Sequence, residues 1–242
     1  MVSQLFDDRY APITSEIEFL ECDPETAADA FQEWQQSIQS GRGVRLHRQE
    51  VIGNFSTKLE RLLPLTSVER RRFLFVPTKS DWTAYLDNGW QGTDVSAVSY
   101  LRRKMGCRAV RSVCIPNTIR RTTIGQTGRY GATILEVYAS DPTSSAFLNV
   151  QRSISAANDG ERWQFDSIGV PLDFERVDQY RARRIQDRFT PEMLEDYLRH
   201  LEIHFFDPKF YETQRSSCLI TKEGQTATNL KEYSLQEARL SF

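Results

Sequence analysis

The chain has 242 residues, of which 39% are apolar and 11% aromatic, proportions that are typical of a globular protein and exclude a disordered one. Its formal charge of −2 hides a basic centre, because residues 61–130 carry 13 Lys or Arg against 4 Asp or Glu while both flanking segments are net acidic. No apolar run approaches the roughly 18 residues of a membrane helix, and the first residues lack the pattern of a signal peptide, so we expect a cytoplasmic protein with no membrane segment.

The four cysteines, Cys22, Cys107, Cys114 and Cys218, are scattered and include no Cys-x-x-Cys pair. In a chain of this length they do not form the disulfide framework of a small secreted protein. We therefore expect reduced and mostly buried thiols. We also expect no cofactor.

The first predicted elements are a strand at residues 16–22 and the helix that follows it. In the strand, Ile17 and Phe19 alternate with two glutamates. Asp23 before Pro24 starts the helix, because the Asp side chain accepts from free N–H groups and proline is tolerated in a first turn. The apolar stripe of this helix comprises Ala27, Phe31, Trp34 and Ile38.

The next part of the chain predicts three strands, at 44–51, 72–76 and 82–86, with a short helix at 55–63. A second amphipathic helix begins at a cap formed by Thr93 or Asp94 and ends at Gly106. Its predicted buried face consists of Val98, Leu101 and Met105.

Residues 107–115 predict a central strand, because apolar residues lie on both of its faces. Another strand is predicted at 131–139. A hairpin follows, in which a strand at 147–156 turns at the Asn-Asp-Gly sequence of 158–160 and returns.

The C-terminal part predicts one clear helix, which begins at Thr190-Pro191 and ends before Pro208. Residues 174–188 are ambiguous, a strand is predicted at 217–221, and a short amphipathic end at 235–240. The chain contains hairpins, and its helices do not alternate regularly with its strands. This pattern favours an α+β fold with a mostly antiparallel mixed sheet flanked by several amphipathic helices. We expect a single domain over residues 1–242, which allows a C-terminal helical subregion at 172–242.

A long connection at residues 119–131 is the first candidate site. Its glycines permit close backbone approach, and Arg120, Arg121 and Arg129 can clamp an anion together with Arg111 of the preceding strand. The spacing matches neither a Walker loop nor a dinucleotide-binding loop. The alternative is a flexible loop whose arginines meet the acidic flanks.

A second candidate site pairs two carboxylates with tryptophans. Asp87 and Asp94 lie near Trp82 and Trp90 in sequence, and carboxylates beside tryptophans can form an acid–base pair. The alternative is structural, with Asp87 in an Asp-Asn-Gly turn and Asp94 as a helix cap.

A third candidate consists of His200, His204 and Asp207, which lie on one helical face and can ligate a metal. A zinc-protease motif needs its glutamate directly after the first histidine, whereas Glu202 is two residues on and faces away. The alternative is a pair of partly exposed histidines favoured by the helix dipole, and we assign no metal site.

Two functions from different classes remain open. The first is a non-enzymatic protein-binding protein, an inhibitor or immunity-type partner that acts by surface complementarity, with Trp82, Trp90 and Tyr130 as interface anchors. No nucleophile motif is present. Nucleic acid is not the expected partner, because the pI near 6.0 opposes that electrostatic footprint.

The second is an enzyme that acts on a phosphorylated or carboxylated small molecule bound by the arginine-rich segment 108–130, with Asp87 or Asp94 as general base. A concave pocket that joins the arginines to a carboxylate of shifted pKa would favour the enzyme. A flat or acidic-edged surface with exposed aromatics would favour the binding protein.

Overall fold

The computed structural model describes residues 4–123, 125–140, 150–160 and 162–240. Its α-helices are α1 (Pro24–Gln39), α2 (Phe55–Glu60), α3 (Val95–Met105), α4 (Pro191–His200) and α5 (Leu235–Leu240). Its strands are β1 (Glu16–Leu20), β2 (Val44–Val51), β3 (Leu65–Thr66), β4 (Arg72–Pro77), β5 (Thr83–Asp87), β6 (Ala109–Ile115), β7 (Arg120–Thr122), β8 (Gly125–Thr127), β9 (Ala132–Tyr138), β10 (Val150–Asn158), β11 (Trp163–Gly169), β12 (Ser217–Gly224) and β13 (Glu232–Tyr233). Among these helices, none has the length and apolar character that a membrane crossing requires.

Nine strands form one antiparallel sheet in the order β11-β10-β9-β6-β1-β5-β4-β12-β2. The predicted α+β fold is confirmed. Strand β12 comes from the C-terminal part of the chain and lies between β4 and β2, so that part is built into the sheet. The two edges of the sheet are β11 and β2.

The capping residues explain where the main helices begin and end. The Asp23 side chain accepts from the second and third residues of α1, and Asp94 accepts from the Ser96 N–H at the start of α3. Gly106 ends α3 at φ 66°, a left-handed conformation that glycine adopts without strain. Thr190 caps α4 by accepting from the Met193 N–H. The predicted helix starts are therefore confirmed.

A hydrophobic core lies on each face of the sheet. On one face, α1 and α3 cover Phe73, Phe75 and Tyr85, and the Phe31 ring of α1 lies 4.6 Å from that of Phe73. On the other face, α2, α4 and the C-terminal segment cover the larger core, which includes Ile17 and Phe19 together with residues of β9 and β10. Burial from both sides explains why all five residues of β1 are buried.

The structure differs from the sequence-based expectation in irregular segments. The ambiguous segment 174–188 forms two short 3-10 turns, Val177–Arg181 and Ile185–Asp187, and the second turn packs against β10 and β11. The long connection 119–131 holds the two-stranded ladder of β7 and β8. The predicted strand start at 147 lies outside the described residues, which resume at the start of β10.

Candidate functional site

Six of the 13 basic residues in the basic centre form ion pairs within the fold. They pair with the acidic flanks or with nearby carboxylates, and these pairs are Lys104–Glu33, Arg108–Glu21, Arg111–Glu16, Arg111–Glu136, Arg129–Asp8, Arg70–Asp87 and Arg71–Glu69. The charge asymmetry of the sequence is thus partly internal.

Two arginines of the predicted anion clamp, Arg111 and Arg129, each bind carboxylates of the chain itself. Arg111 lies on β6 between two carboxylates, with its Nε 2.6 Å from the Glu16 carboxylate and Nη1 3.1 Å from that of Glu136. Arg129 pairs with Asp8 and donates to the Ser15 hydroxyl at 2.7 Å. Arg120 is exposed on the β7–β8 ladder, and the side chain of Arg121 lies outside the described residues. Arg111 and Arg129 are therefore occupied by partners within the chain.

The structure brings Asp87 and Asp94 together. Both have the structural roles that the alternative interpretation gave them, Asp87 in the turn and Asp94 at the start of the helix. Asp87 is 1% exposed and accepts from the Gly89 N–H at 2.8 Å and from the Asp94 N–H at 2.9 Å. Burial raises the pKa of Asp87 to about 7, and Arg70 opposes this shift. Asp94 uses its side chain to cap α3. Asp87 thus fixes the turn that leads into the helix.

The sequence reasoning did not find the buried carboxylate of Glu18, which lies on β1 opposite Tyr85 and Arg111. Glu18 is 0% exposed, and neither carboxylate oxygen has a hydrogen-bond partner among the described residues. Burial raises its pKa well above the usual value of 4.5. Alternation with Ile17 and Phe19 suggested a polar face for the strand, and only the packing of α3 shows that this face is covered.

The predicted interface anchors are not freely exposed. Trp82 is 3% exposed and donates its indole N–H to the Leu201 carbonyl at 2.8 Å, so it is a core side chain and the interface role predicted for it is corrected. Trp90 is half-buried and stacks on Tyr233. Tyr130 is half-buried and bonded to the Gln126 side chain. Trp90 and Tyr130 thus keep part of their surface accessible, whereas Trp82 does not.

The histidine cluster is divided between two environments. His200 stacks on the Phe174 ring at 4.7 Å between centroids. His204 and Asp207 line a cleft of about 570 Å³ together with Glu202 and residues of the β4–β5 turn. The described ranges contain no group of three or more His, Cys, Asp or Glu residues placed to hold a metal ion.

One part of the sheet lacks a covering helix. Helices α1 and α3 pack against β2, β4 and β12 and against β1 and β6, which leaves most of the same face of β9, β10 and β11 without a described helix. Two rows of paired residues cross these strands. We call this surface the open face, and it consists of Ile134, Glu136, Ser153, Ser155, Asp166 and Ile168. Its first four residues are half-buried, and the two on β11 are exposed.

The open face ends at β11, whose outer side has no neighbouring strand in the described part of the chain. The Asp159 N–H donates to the Arg162 carbonyl at the hairpin turn, which makes them a hydrogen-bonded pair. Because such pairs alternate in an antiparallel ladder, every second residue after Arg162 bonds to β10. The residues between them, Trp163, Phe165 and Ser167, point their N–H and C=O groups outward.

The two edges of the sheet differ in their protection against strand addition. Proteins blunt edge strands with charged side chains, proline or bulges. Strand β2 carries Arg45, His47, Arg48 and Glu50 among its 8 residues, whereas β11 carries only Asp166 among 7. Edge β11 is therefore the less protected of the two.

Exposed apolar side chains follow the β11 edge. Ile168 is 63% exposed and Val170, directly after the strand, is 80% exposed. The backbone of Ile168 is anchored by Arg152 of β10, which donates to the Ile168 carbonyl at 2.9 Å and forms a buried two-point ion pair with Glu175 at 2.7 and 2.6 Å. The ion pair fixes the Arg152 side chain and thereby the end of β11.

Comparisons with protein-family models, with curated proteins and with solved structures give no match.

Proposed function

We propose that this chain is a protein-binding protein that receives an extended segment of a partner protein at the β11 edge, as a tenth antiparallel strand. The observation that carries the proposal is the outward-pointing backbone of β11, which carries one charged residue, Asp166, where β2 carries Arg45, Arg48 and Glu50. In strand addition, backbone hydrogen bonds supply affinity and alternate side chains supply specificity.

The side chains of β11 define the chemistry of that segment. On the open face, Ile168 and Asp166 lie two residues apart on the exposed side of the strand. Opposite charges or apolar pairs placed directly across neighbouring strands stabilise a sheet by about 0.2–1 kcal/mol each. The preferred segment therefore has an apolar residue opposite Ile168 and a Lys or Arg opposite Asp166.

The proposal extends to an inhibitor of the immunity type in the cytoplasm. A partner segment held in the sheet cannot at the same time serve its own binding or catalytic role. Surface complementarity alone is enough for such inhibition, and no reaction is required.

The rival function, an enzyme for a phosphorylated or carboxylated small molecule, has less support. Asp87 is 1% exposed and both of its oxygens accept backbone N–H groups, so it is poorly placed as a general base. Arg111 is held by two carboxylates and Arg129 by a third. An anionic substrate would have to displace these internal partners.

Photocrosslinking tests the location of the interface. Benzoylphenylalanine is placed at Ile168 in one variant and at Ile52 in a matched control, since Ile52 is 78% exposed directly after the charged edge strand β2. Both variants are irradiated in the cells of origin, and adducts are identified by mass spectrometry. We expect a discrete adduct from position 168 only.

Two substitutions at Ser167 then test strand addition itself. Ser167→Pro removes an outward N–H and leaves the ladder to β10 intact, which an edge strand tolerates. Ser167→Ala is the control, because it equally removes the hydroxyl that accepts from Arg152 but keeps the N–H. We expect the adduct to disappear with proline and to persist with alanine. An adduct that survives proline, or no adduct at position 168, would overturn the proposal.

A further inference from the structure

Two half-buried cysteines lie opposite each other just beyond the ends of β1 and β6. The last pair of that ladder is Leu20 with Ala109, and the Glu21 N–H continues it by donating to the Arg108 carbonyl at 3.0 Å. Cys22 and Cys107 are the next residues along the two chain segments, which turn away from the ladder here, since the Cys22 N–H donates to the Leu20 carbonyl at 2.9 Å and the Cys107 N–H to the Arg102 carbonyl at 3.1 Å. Both pack at the margin of the core beneath α1 and α3.

The position of this pair suits a disulfide. The bond between Glu21 and Arg108 holds the two chain segments at the spacing of neighbouring strands, about 4.7–4.9 Å, one residue before the cysteines. A disulfide accepts Cα separations of about 4.4–6.8 Å. The two side chains are also in contact, since the Cys22 thiol is hydrogen-bonded to Cys107. All four cysteines are free thiols in the structure.

We propose that Cys22 and Cys107 form a dithiol site that a peroxide converts into a reversible cross-strand disulfide. The other two cysteines are excluded from this chemistry by burial, since Cys114 and Cys218 are each 1% exposed. Burial also raises the pKa of each of these two thiols to about 11, which keeps them protonated.

The environment distinguishes the two members of the pair. The hydrogen bond from Cys22 lowers the pKa of Cys107, and it raises that of Cys22. Cys107 is therefore the nucleophile, because a thiolate and not a thiol attacks peroxide. Cys22 is already in contact with Cys107 and can attack the sulfenic acid that forms there.

The proposed reaction balances in two steps. The Cys107 sulfur attacks one oxygen of hydrogen peroxide, the O–O bond breaks, and the sulfenic acid of Cys107 forms with release of one water. The Cys22 sulfur then attacks the Cys107 sulfur, the S–O bond breaks, and the leaving hydroxide takes the Cys22 proton as a second water. Two thiols are oxidised, and one peroxide is reduced to two waters.

The bond would join two helices as well as two strands. Cys22 directly precedes the capping residue of α1, and Cys107 directly follows Gly106 at the end of α3. Oxidation would therefore fix the start of one helix to the end of the other. A dithiol reductant reverses it by thiol–disulfide exchange.

Thiol counting on the full-length protein tests the proposal. The reduced chain is treated with equimolar hydrogen peroxide, denatured and alkylated. Mass spectrometry then counts the alkylated thiols and maps the linked peptides. We expect two alkylated thiols in place of four, one linked peptide pair containing Cys22 and Cys107, and four thiols again after reduction.

Matched variants separate the native pair from chance oxidation. Cys218→Ser should still form the bond and leave one free thiol, whereas Cys107→Ser should form none. Cys22→Ser should leave a sulfenic acid on Cys107 that dimedone traps. Four alkylated thiols after peroxide, a linkage to another cysteine, or dimedone trapping at no position would overturn the proposal.

Discussion

The buried carboxyl of Asp87 makes the free energy of unfolding depend on pH in a way that one substitution removes. Asp87 lies at the end of β5, is 1% exposed, and holds the turn into α3 through two backbone N–H groups. Burial raises its pKa from 3.8 to about 7. In the unfolded chain the carboxyl is solvated and loses its proton at the lower value. Asp87→Asn removes this titration from both states.

The sign and size of this pH dependence of the free energy of unfolding follow from proton linkage. Between the two pKa values the folded state keeps a proton that the unfolded chain has released, so the free energy of unfolding falls as pH rises towards 7. Integrating this relation from pH 5 to pH 8 with the pKa values of 3.8 and about 7 gives a loss of about 2.5 kcal/mol for the wild type. Asp87→Asn is less stable at pH 5, because the amide cannot accept both N–H groups, but it lacks this loss.

Urea unfolding at pH 5 and pH 8 measures the difference. The control is Leu86→Ala, a fully buried neighbour that does not titrate and should lose about 2–5 kcal/mol at both pH values. We expect the control to keep the wild-type dependence on pH and Asp87→Asn to lack about 2.5 kcal/mol of it. An unchanged dependence in Asp87→Asn would refute the reasoning that burial sets the pKa of this group.

Three further predictions concern buried charge and the cysteine pair. Arg152→Ala leaves the Glu175 side chain, which is 0% exposed, without its cation and should cost about 3–5 kcal/mol in urea unfolding; a loss below about 1 kcal/mol would contradict this. Glu18→Gln should gain stability over the wild type as pH rises above 4.5, because the raised pKa of Glu18 makes its ionisation destabilising; a constant difference between pH 5 and pH 8 would count against it. A bond between Cys22 and Cys107 closes a loop of about 86 residues and should raise the free energy of unfolding by about 4.5 kcal/mol, which paired melts of the oxidised and reduced protein would show; equal melts would contradict it.

Local signals in the sequence were enough to predict the main elements. Asp23-Pro24 and Thr190-Pro191 predicted the starts of α1 and α4, and β2 spans the same residues, 44–51, as its prediction. Caps and alternation act within a few residues, so a single sequence contains them. The hairpin of β10 and β11 followed from its Asn-Asp-Gly turn for the same reason.

The candidate site could not be predicted in the same way, because it depends on residues distant in the chain. From the sequence alone, the arginines of 61–130 indicate a cationic surface. In the structure, Arg111 pairs with Glu16 and Arg129 pairs with Asp8. The exposure of Ile168 depends on the place of β11 at the end of the strand order, which its own sequence does not encode. Long-range pairing therefore decides which residues are available to a partner.

Hydrogen exchange of the β11 amides tests the central claim most directly. In the free protein we expect fast exchange at Phe165 and Ser167, which point outward, and slow exchange at Gln164 and Asp166, which bond to β10. In the complex with the protein crosslinked from position 168, strand addition predicts that Phe165 and Ser167 become protected while Gln164 and Asp166 change little. Unchanged fast exchange at Phe165 and Ser167 in that complex would contradict it.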